Sequence, residues 1–210
     1  EFCRHLKGRF DVVGVTRQDA DITDLAQIMK VIENHQPDCV IHTAAFTDVD
    51  ACEQDSKKGM EINATGAGNV ALAAQNIGAD IIFFSTDYVF DGAKKSAYVE
   101  SDIPNPISEY GRSKYAGELA TMDSNKNWTI IRSGWIYGDR GNNFVKSILL
   151  SSKNNESPLR VVNDQFGSPT WTKDIVNQTA KIIESKQSGL FHVASKGEVS
   201  RFEFAKMILE

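Results

Sequence analysis

A chain of 210 residues with a formal net charge of -5, 41% hydrophobic and 24% charged residues, and a pI near 5.4, has an ordinary globular composition and enough length to bury a core without disulfides or metals. Its mild acidity offers no basic field for phosphate backbones, which argues against nucleic acid as a partner. Cys3, Cys39 and Cys52 are odd in number and form no CxxC pair, so neither a disulfide framework nor a zinc ribbon is indicated. No apolar run approaches the roughly 18 residues of a membrane span, and Glu1 to Phe10 has no signal-peptide pattern. These features point to the reducing cytoplasm and to no membrane partner.

Glu1 to Leu6 reads as the tail of a helix, with Gly8 as its terminator. A doubly wound nucleotide-binding fold normally opens with a strand and a Gly-rich turn, yet no GxxGxxG or GxGxxG precedes Phe10. The chain also stops inside an apparent helix at Glu210. The expectation is a fragment cut at both ends. An isolated chain of these residues alone is expected to bind dinucleotide weakly, to be inactive and to be poorly stable.

Phe10–Val15 reads as a strand, and Asp24 to Gln36 as a helix with Leu25, Ile28, Met29 and Ile32 on one face, stopped by Pro37. Cys39–Thr43 is the next strand. Ser56 to Ile77 reads as an Ala-rich helix with Met60, Ile62, Ala67, Val70, Ala71 and Ala74 inward and Gly66 and Gly68 at close packing. Asp80–Thr86 follows as a strand, then a long polar loop from Asp91-Gly92 to Pro106, a helix from Ser108 to Met122 and a strand at Trp128–Ser133. Beyond Trp135 the order is less regular. Phe144–Leu150 reads as helix, Leu159–Val162 as a short strand, Gly167-Ser168-Pro169 as a turn, Thr172–Glu184 as helix, Leu190–Ala194 as strand and Val199–Leu209 as helix. Strands alternating with helices predict an α/β fold, a doubly wound parallel sheet with crossover helices.

The sharpest constellation is Tyr110 and Lys114, at i and i+4 on a helix. That spacing puts phenol and ammonium on one face, where the cation can favour phenolate and lower the tyrosine pKa. The alternative is an exposed helix that merely carries both in register. Ser85 and Thr86 lie just past a strongly apolar strand, where open α/β sheets place their ligands; a turn capped by hydroxyls is the other explanation. Ala44 and Ala45, past the preceding strand, are small enough for a flat ring to approach the backbone. His42 reads as a core histidine. His5, His35 and His192 form no HxxxH or HExxH spacing, so no catalytic metal is expected.

Taken in order, Asp21-Ile22-Thr23, TAAFTDVDACE from Thr43, NATGAGNVA from Asn63, STDYVFDG from Ser85, PISEYGRSKYAGE from Pro106, RSGWIYG from Arg132 and VVNDQFGSPT from Val161 resemble the extended short-chain dehydrogenase/reductase superfamily. More narrowly, they resemble the dTDP-4-dehydrorhamnose reductase family. The resemblance implies a Rossmann-like nucleotide-binding domain over 1–142 and 170–195, and a small C-terminal substrate-binding subdomain over 143–169 and 196–210. It implies Tyr110 as proton donor to a C4 keto oxygen, Lys114 as its electrostatic partner and a ligand of the nicotinamide ribose, and Thr86 as the hydroxyl that orients the carbonyl. Asp21 and Ile22 match adenine-side contacts, and Ala44, Ala45, Phe46 and Thr47 match the stretch along the cofactor. Asp87 and Trp135 match positions facing the deoxysugar nucleotide, a core role being the alternative for Trp135.

Within that frame Arg17 stands where NAD-selective folds place an acidic ribose ligand, and an arginine can pair with a 2′-phosphate. NADPH is therefore the expected cofactor and NADH its alternative, with Asp19 close enough to matter and a solvated Arg17 the competing explanation. The implied reaction is reduction of dTDP-4-dehydro-6-deoxy-L-mannose to dTDP-L-rhamnose, for cell-surface polysaccharide. Elimination is disfavoured, because related dehydratases carry Asp-Glu after the threonine and this chain has Asp87-Tyr88. The other function class is a non-catalytic nucleotide-binding relative, resembling the regulatory subunit of methionine adenosyltransferase. The expected small-molecule partner is a dTDP-linked deoxysugar, and a homodimer is left open.

Overall fold

The computed structural model describes residues 1–154 and 158–210. In chain order the elements are α1 (Phe2–His5), α2 (Leu25–His35), β1 (Cys39–His42), α3 (Val49–Gln54), α4 (Ser56–Met60), a π-helical turn (Glu61–Thr65), α5 (Gly66–Asn76), β2 (Asp80–Thr86), a 3₁₀ turn (Asp87–Val89) and α6 (Glu109–Ser124). They continue with β3 (Trp128–Ser133), β4 (Ile136–Tyr137), α7 (Phe144–Asn154), β5 (Phe166–Gly167), β6 (Thr170–Trp171), α8 (Thr172–Ser185), β7 (Gly189–His192), β8 (Val199–Ser200) and α9 (Arg201–Leu209). Two compact units result, one of 1–12, 133–185 and 193–210, the other of 13–132 and 186–192.

The second unit is the α/β layer structure expected. Its sheet has the order β1-β2-β3-β7, with β1 parallel to β2 and β3 parallel to β7. Local chemistry sets the helix ends. Asp24 caps α2 by accepting from Ala26 and Gln27 N–H. Ser108 caps α6 by accepting from Gly111 N–H, while Glu53 accepts from Glu109 N–H at 2.7 Å; one such cap is worth about 1 kcal/mol. Small residues let α5 lie close to the sheet: Val70, Ala71, Ala73 and Ala74 form a buried cluster with Ile28, Ile32 and Ile81, and Ala67 meets Phe83 and Ile130.

Four expected elements differ. Phe10–Val15 forms no strand: Phe10 makes an isolated bridge to Lys7, and Val13 and Val15 are 57% and 47% exposed. An alternating apolar run becomes a strand only where a neighbouring strand completes its hydrogen bonds, and this run has none among the described residues. Leu159–Val162 is likewise not a strand; Phe166–Gly167 pairs instead, antiparallel to Val199–Ser200. The single helix expected over Ser56 to Ile77 is interrupted by the π-helical turn, whose extra residue per turn rotates the inward face. Asn63 is thereby buried and Met60 is 42% exposed. Finally, α9 begins at Arg201, because Ser200 and Glu203 form a capping box there.

The first unit is built from short pieces, β4 parallel to β6 and β5 antiparallel to β8, with α1, α7, α8 and α9. Its bounds are not those of the expected division, since 1–12, 133–142, 170–185 and 193–195 group with the C-terminal pieces. The β4–β6 pairing ties Ile136 and Tyr137 to Thr170 and Trp171, which is what draws both flanks into this unit. No helix among the described residues is long and apolar enough to cross a membrane.

Candidate active site

The carboxyl ends of β1 and β2 lie side by side in the second unit, and α6 runs along them. Thr86 ends β2; its Oγ1 accepts from Tyr88 N–H at 3.2 Å and donates to Asp87 Oδ1 at 3.0 Å. Tyr110 hydrogen-bonds with the Thr86 side chain, and its ring meets Tyr88 edge-on at 5.5 Å. Gly111 makes this approach feasible, because a Cβ there would overlap the Tyr88 carbonyl oxygen. The helix can therefore lie against the 3₁₀ turn only with glycine after the tyrosine.

Lys114 is buried one turn further on. Its Nζ donates to Phe84 O at 2.6 Å and sits 4.1 Å from the centroid of the Phe83 ring. Burial pushes its pKa down to about 7 against the opposing pull of Glu118. Burial also pushes Tyr110 up to about 12, opposed by its hydrogen bond to Thr86. This corrects the expectation that Lys114 lowers the tyrosine pKa: in the chain alone desolvation of the phenolate wins. A phenol so placed stays protonated at neutral pH. It holds the proton that a donor must carry, as a weaker acid than a free phenol.

The Ala44–Thr47 stretch leaves the end of β1 with Ala44 and Thr47 exposed and Ala45 and Phe46 half-buried. Asn63 fixes it. The buried amide accepts from Phe46 N–H at 2.7 Å and donates to Phe46 O at 2.9 Å and to Ser113 Oγ at 2.9 Å; Ser113 in turn donates to Tyr110 O at 2.8 Å. A single side chain thus links the loop after β1 to the helix that carries Tyr110 and Lys114. His42, at the end of β1, is buried and pushed down to about 3 by that burial and by Lys114, hence neutral in the core.

The remaining cofactor candidates form a second group near the start of α5. Asp21 accepts from Thr23 N–H at 2.9 Å and from its hydroxyl at 2.8 Å, which holds its carboxyl below the usual range. Ile22 packs on Gly66, and Asn69 donates to Ile22 O at 2.9 Å. Arg17 extends into solvent with its side chain 82% exposed, 3.6 Å from Asp21, while Asp19 turns back to accept from Thr16 N–H at 2.8 Å. Arg17 is therefore not neutralised by Asp19.

Behind α6, Glu118 and Arg132 form a buried bidentate pair, Nε to Oε1 at 2.8 Å and Nη2 to Oε2 at 2.6 Å. The guanidinium lies 5.1 Å from the Phe90 ring, and Phe90 stacks on Tyr98 at 4.2 Å. Tyr98 donates to Asp91 at 2.7 Å, and Asn105 donates to the other Asp91 oxygen at 2.9 Å. The long polar loop is thus docked on an internal ion pair. Asn63, Ser113, Glu118 and Arg132 escaped the sequence reading; the only trace of them was a polar residue amid Ala and Gly or on an apolar face.

Trp135 belongs to the first unit, half-buried, with a positive φ of 50°. The Arg201 guanidinium lies 3.7 Å from its ring centroid. Among the described residues no group of three or more His, Cys, Asp or Glu is placed to hold a metal ion.

The chain matches the RmlD substrate binding domain family over residues 1–210. It is 41% identical over 211 residues to the spore coat polysaccharide biosynthesis protein SpsK of Bacillus subtilis, spanning 100% of this chain and 74% of that one. It is 35% identical over 218 residues to a dTDP-4-dehydrorhamnose reductase of Burkholderia thailandensis, covering 100% of this chain and 73% of that one. Its structure is similar to the crystal structure of dTDP-4-dehydrorhamnose reductase from Bacillus anthracis in complex with NADP, with a TM-score of 0.95 and 40% identity over 99% of this chain and 74% of the other.

Proposed function

The chain belongs to the RmlD substrate binding domain family, and from that premise we propose that it is an NADPH-dependent sugar-nucleotide reductase. The reaction is reduction of the C4 keto group of dTDP-4-dehydro-6-deoxy-L-mannose to give dTDP-L-rhamnose. The observation that carries this is Tyr110, hydrogen-bonded to Thr86 at the end of β2, with Lys114 one turn along the same helix.

The residues present fit a dinucleotide. Ser85 Oγ is buried near the end of β2 with no hydrogen-bond partner among the described residues. Phe84 O takes one of the three Lys114 donors, leaving others for ribose hydroxyls. Ala44 and Thr47 are exposed past the end of β1, Asp21 and Ile22 flank the adenine side, and Arg17, exposed and 3.6 Å from Asp21, is placed to meet a 2′-phosphate. NADPH, when bound, supplies the hydride to C4.

The chain's own part is to receive the negative charge that develops on the C4 oxygen. Thr86 and Tyr110 donate hydrogen bonds to that oxygen, and the Tyr110 proton passes to it, leaving a phenolate that the Lys114 ammonium stabilises. The ketone becomes a secondary alcohol and solvent reprotonates the tyrosine. Asp87, next to Thr86, and Trp135 are assigned to the sugar nucleotide.

Two measurements bear on the cofactor. Arg17→Ala is expected to weaken NADPH binding by about 1–3 kcal/mol, the range of a charge-assisted contact, and to leave NADH unchanged; equal losses for both would remove Arg17 from the 2′-phosphate. The second concerns pH. The ammonium form of Lys114 predominates only below its pKa of about 7. The kcat/KM for NADPH, which reports the free enzyme, should fall about tenfold per pH unit on the alkaline side of that value. A profile flat to pH ~9, as for an unperturbed lysine near 10.4, would contradict it. The activity itself is tested by mixing full-length protein, NADPH and dTDP-4-dehydro-6-deoxy-L-mannose. One NADPH oxidised per dTDP-L-rhamnose formed supports the proposal; no oxidation rejects it and favours a binding role.

A further inference from the structure

Trp135 stands in a sparsely populated backbone region for a bulky side chain, with φ of 50°, and such a conformation persists only where the surroundings over-determine it. Three constraints do so. Its carbonyl accepts from Thr170 N–H at 3.1 Å. Gly167 lies against the indole so closely that any Cβ there would overlap ring atoms. The Arg201 guanidinium lies over the indole, 3.7 Å from its centroid, and 4.9 Å from that of the Phe144 ring.

Arg201 is itself held at a fixed point. It is the first residue of α9, whose capping box joins Ser200 and Glu203; Ser200 Oγ also donates to Asn163 at 2.7 Å, and Arg201 N–H donates to Gln165 O at 3.0 Å. The segment that supplies Gly167 and the helix that supplies Arg201 are paired strand to strand, Phe166 with Ser200 and Gly167 with Val199. One short ladder therefore sets Gly167 and Arg201 against the indole. A planar guanidinium stacks on an aromatic face and keeps its charge there, which lysine or an apolar residue does less well.

We propose that Arg201 is a positioning residue for sugar-nucleotide binding: stacked on Trp135, it fixes the indole in the orientation that the dTDP-sugar meets. This rests on the assignment of Trp135 to the sugar nucleotide made above. A residue that only filled space would affect stability and leave ligand affinity alone.

The test is calorimetric titration of dTDP-L-rhamnose into full-length protein carrying NADP⁺, for wild type, Trp135→Ala, Arg201→Met, Arg201→Lys and the Trp135→Ala/Arg201→Met double variant. Arg201→Met is expected to weaken binding about tenfold, Arg201→Lys to recover to within about threefold of wild type, and Arg201→Met to add less than about twofold on top of Trp135→Ala. NADP⁺ affinity should be the same in all. Wild-type affinity in Arg201→Met alongside a loss in Trp135→Ala would overturn the role of Arg201 and leave the Trp135 assignment standing, and additive losses would do the same. Wild-type affinity in Trp135→Ala would overturn the Trp135 assignment and this inference with it. Should Arg201→Met fail to fold, Arg201→Gln carries the same comparison.

Discussion

Tyr110→Phe is expected to lower turnover by about 10²–10⁴, the usual worth of a positioned general acid, while NADPH affinity and Tm stay close to wild type. The variant removes one hydroxyl and keeps the ring that meets Tyr88 edge-on at 5.5 Å, so packing is retained. What is lost is the proton that must reach the C4 oxygen, together with the hydrogen bond to Thr86. Thr86→Val should cost less, because the phenol can still donate when the orienting hydroxyl is gone. Pre-steady-state measurement of NADPH oxidation is the appropriate check, since product release can mask slower chemistry. A wild-type rate of NADPH oxidation in the first turnover of Tyr110→Phe would move the proton donor elsewhere.

The largest effect on stability is expected at Glu118. With its side chain 1% exposed and Arg132 5% exposed, Glu118→Ala leaves a buried guanidinium without its counter-charge, a change that costs about 3–5 kcal/mol. Arg132 Nη1 already lacks a hydrogen-bond partner among the described residues, so few polar groups are at hand to compensate. The guanidinium lies against Phe90, which stacks on Tyr98, and the loss should loosen the loop from Asp91 to Pro106. Replacing both partners by Leu and Met removes the unpaired charge and should restore most of the stability. Urea denaturation of the three proteins measures this. A loss under about 1 kcal/mol in Glu118→Ala would show that the pair is solvated, not internal.

Much of the second unit was legible because its signals are local. Asp24 before an apolar face and Ser108 before α6 act as caps, and the apolar runs Cys39–His42 and Asp80–Thr86 become parallel neighbours. Tyr110 and Lys114 were visible from their i, i+4 spacing. Signals that depend on a partner elsewhere in the chain were not. Phe10–Val15 has strand composition, but a strand is made by its neighbour. Asn63 and Ser113 are 50 residues apart in sequence, and Glu118 and Arg132 are 14 apart on a helix and a strand; neither pairing leaves a periodic trace. The direction of the Tyr110 shift was misjudged for a related reason. Helical spacing places the ammonium near the phenol, but only the fold shows how deeply the phenol is buried and that burial outweighs proximity.

The most direct test of hydride delivery to the C4 carbon follows a label. The full-length protein is incubated with NADPH deuterated at the transferring carbon of the nicotinamide and with dTDP-4-dehydro-6-deoxy-L-mannose, and the product sugar is examined by proton NMR. The account predicts dTDP-L-rhamnose with deuterium at C4, no deuterium at any other sugar carbon, and loss of the labelled product in Tyr110→Phe. Product with hydrogen at C4, or deuterium at C3 or C5, would contradict direct reduction of the C4 ketone in this site.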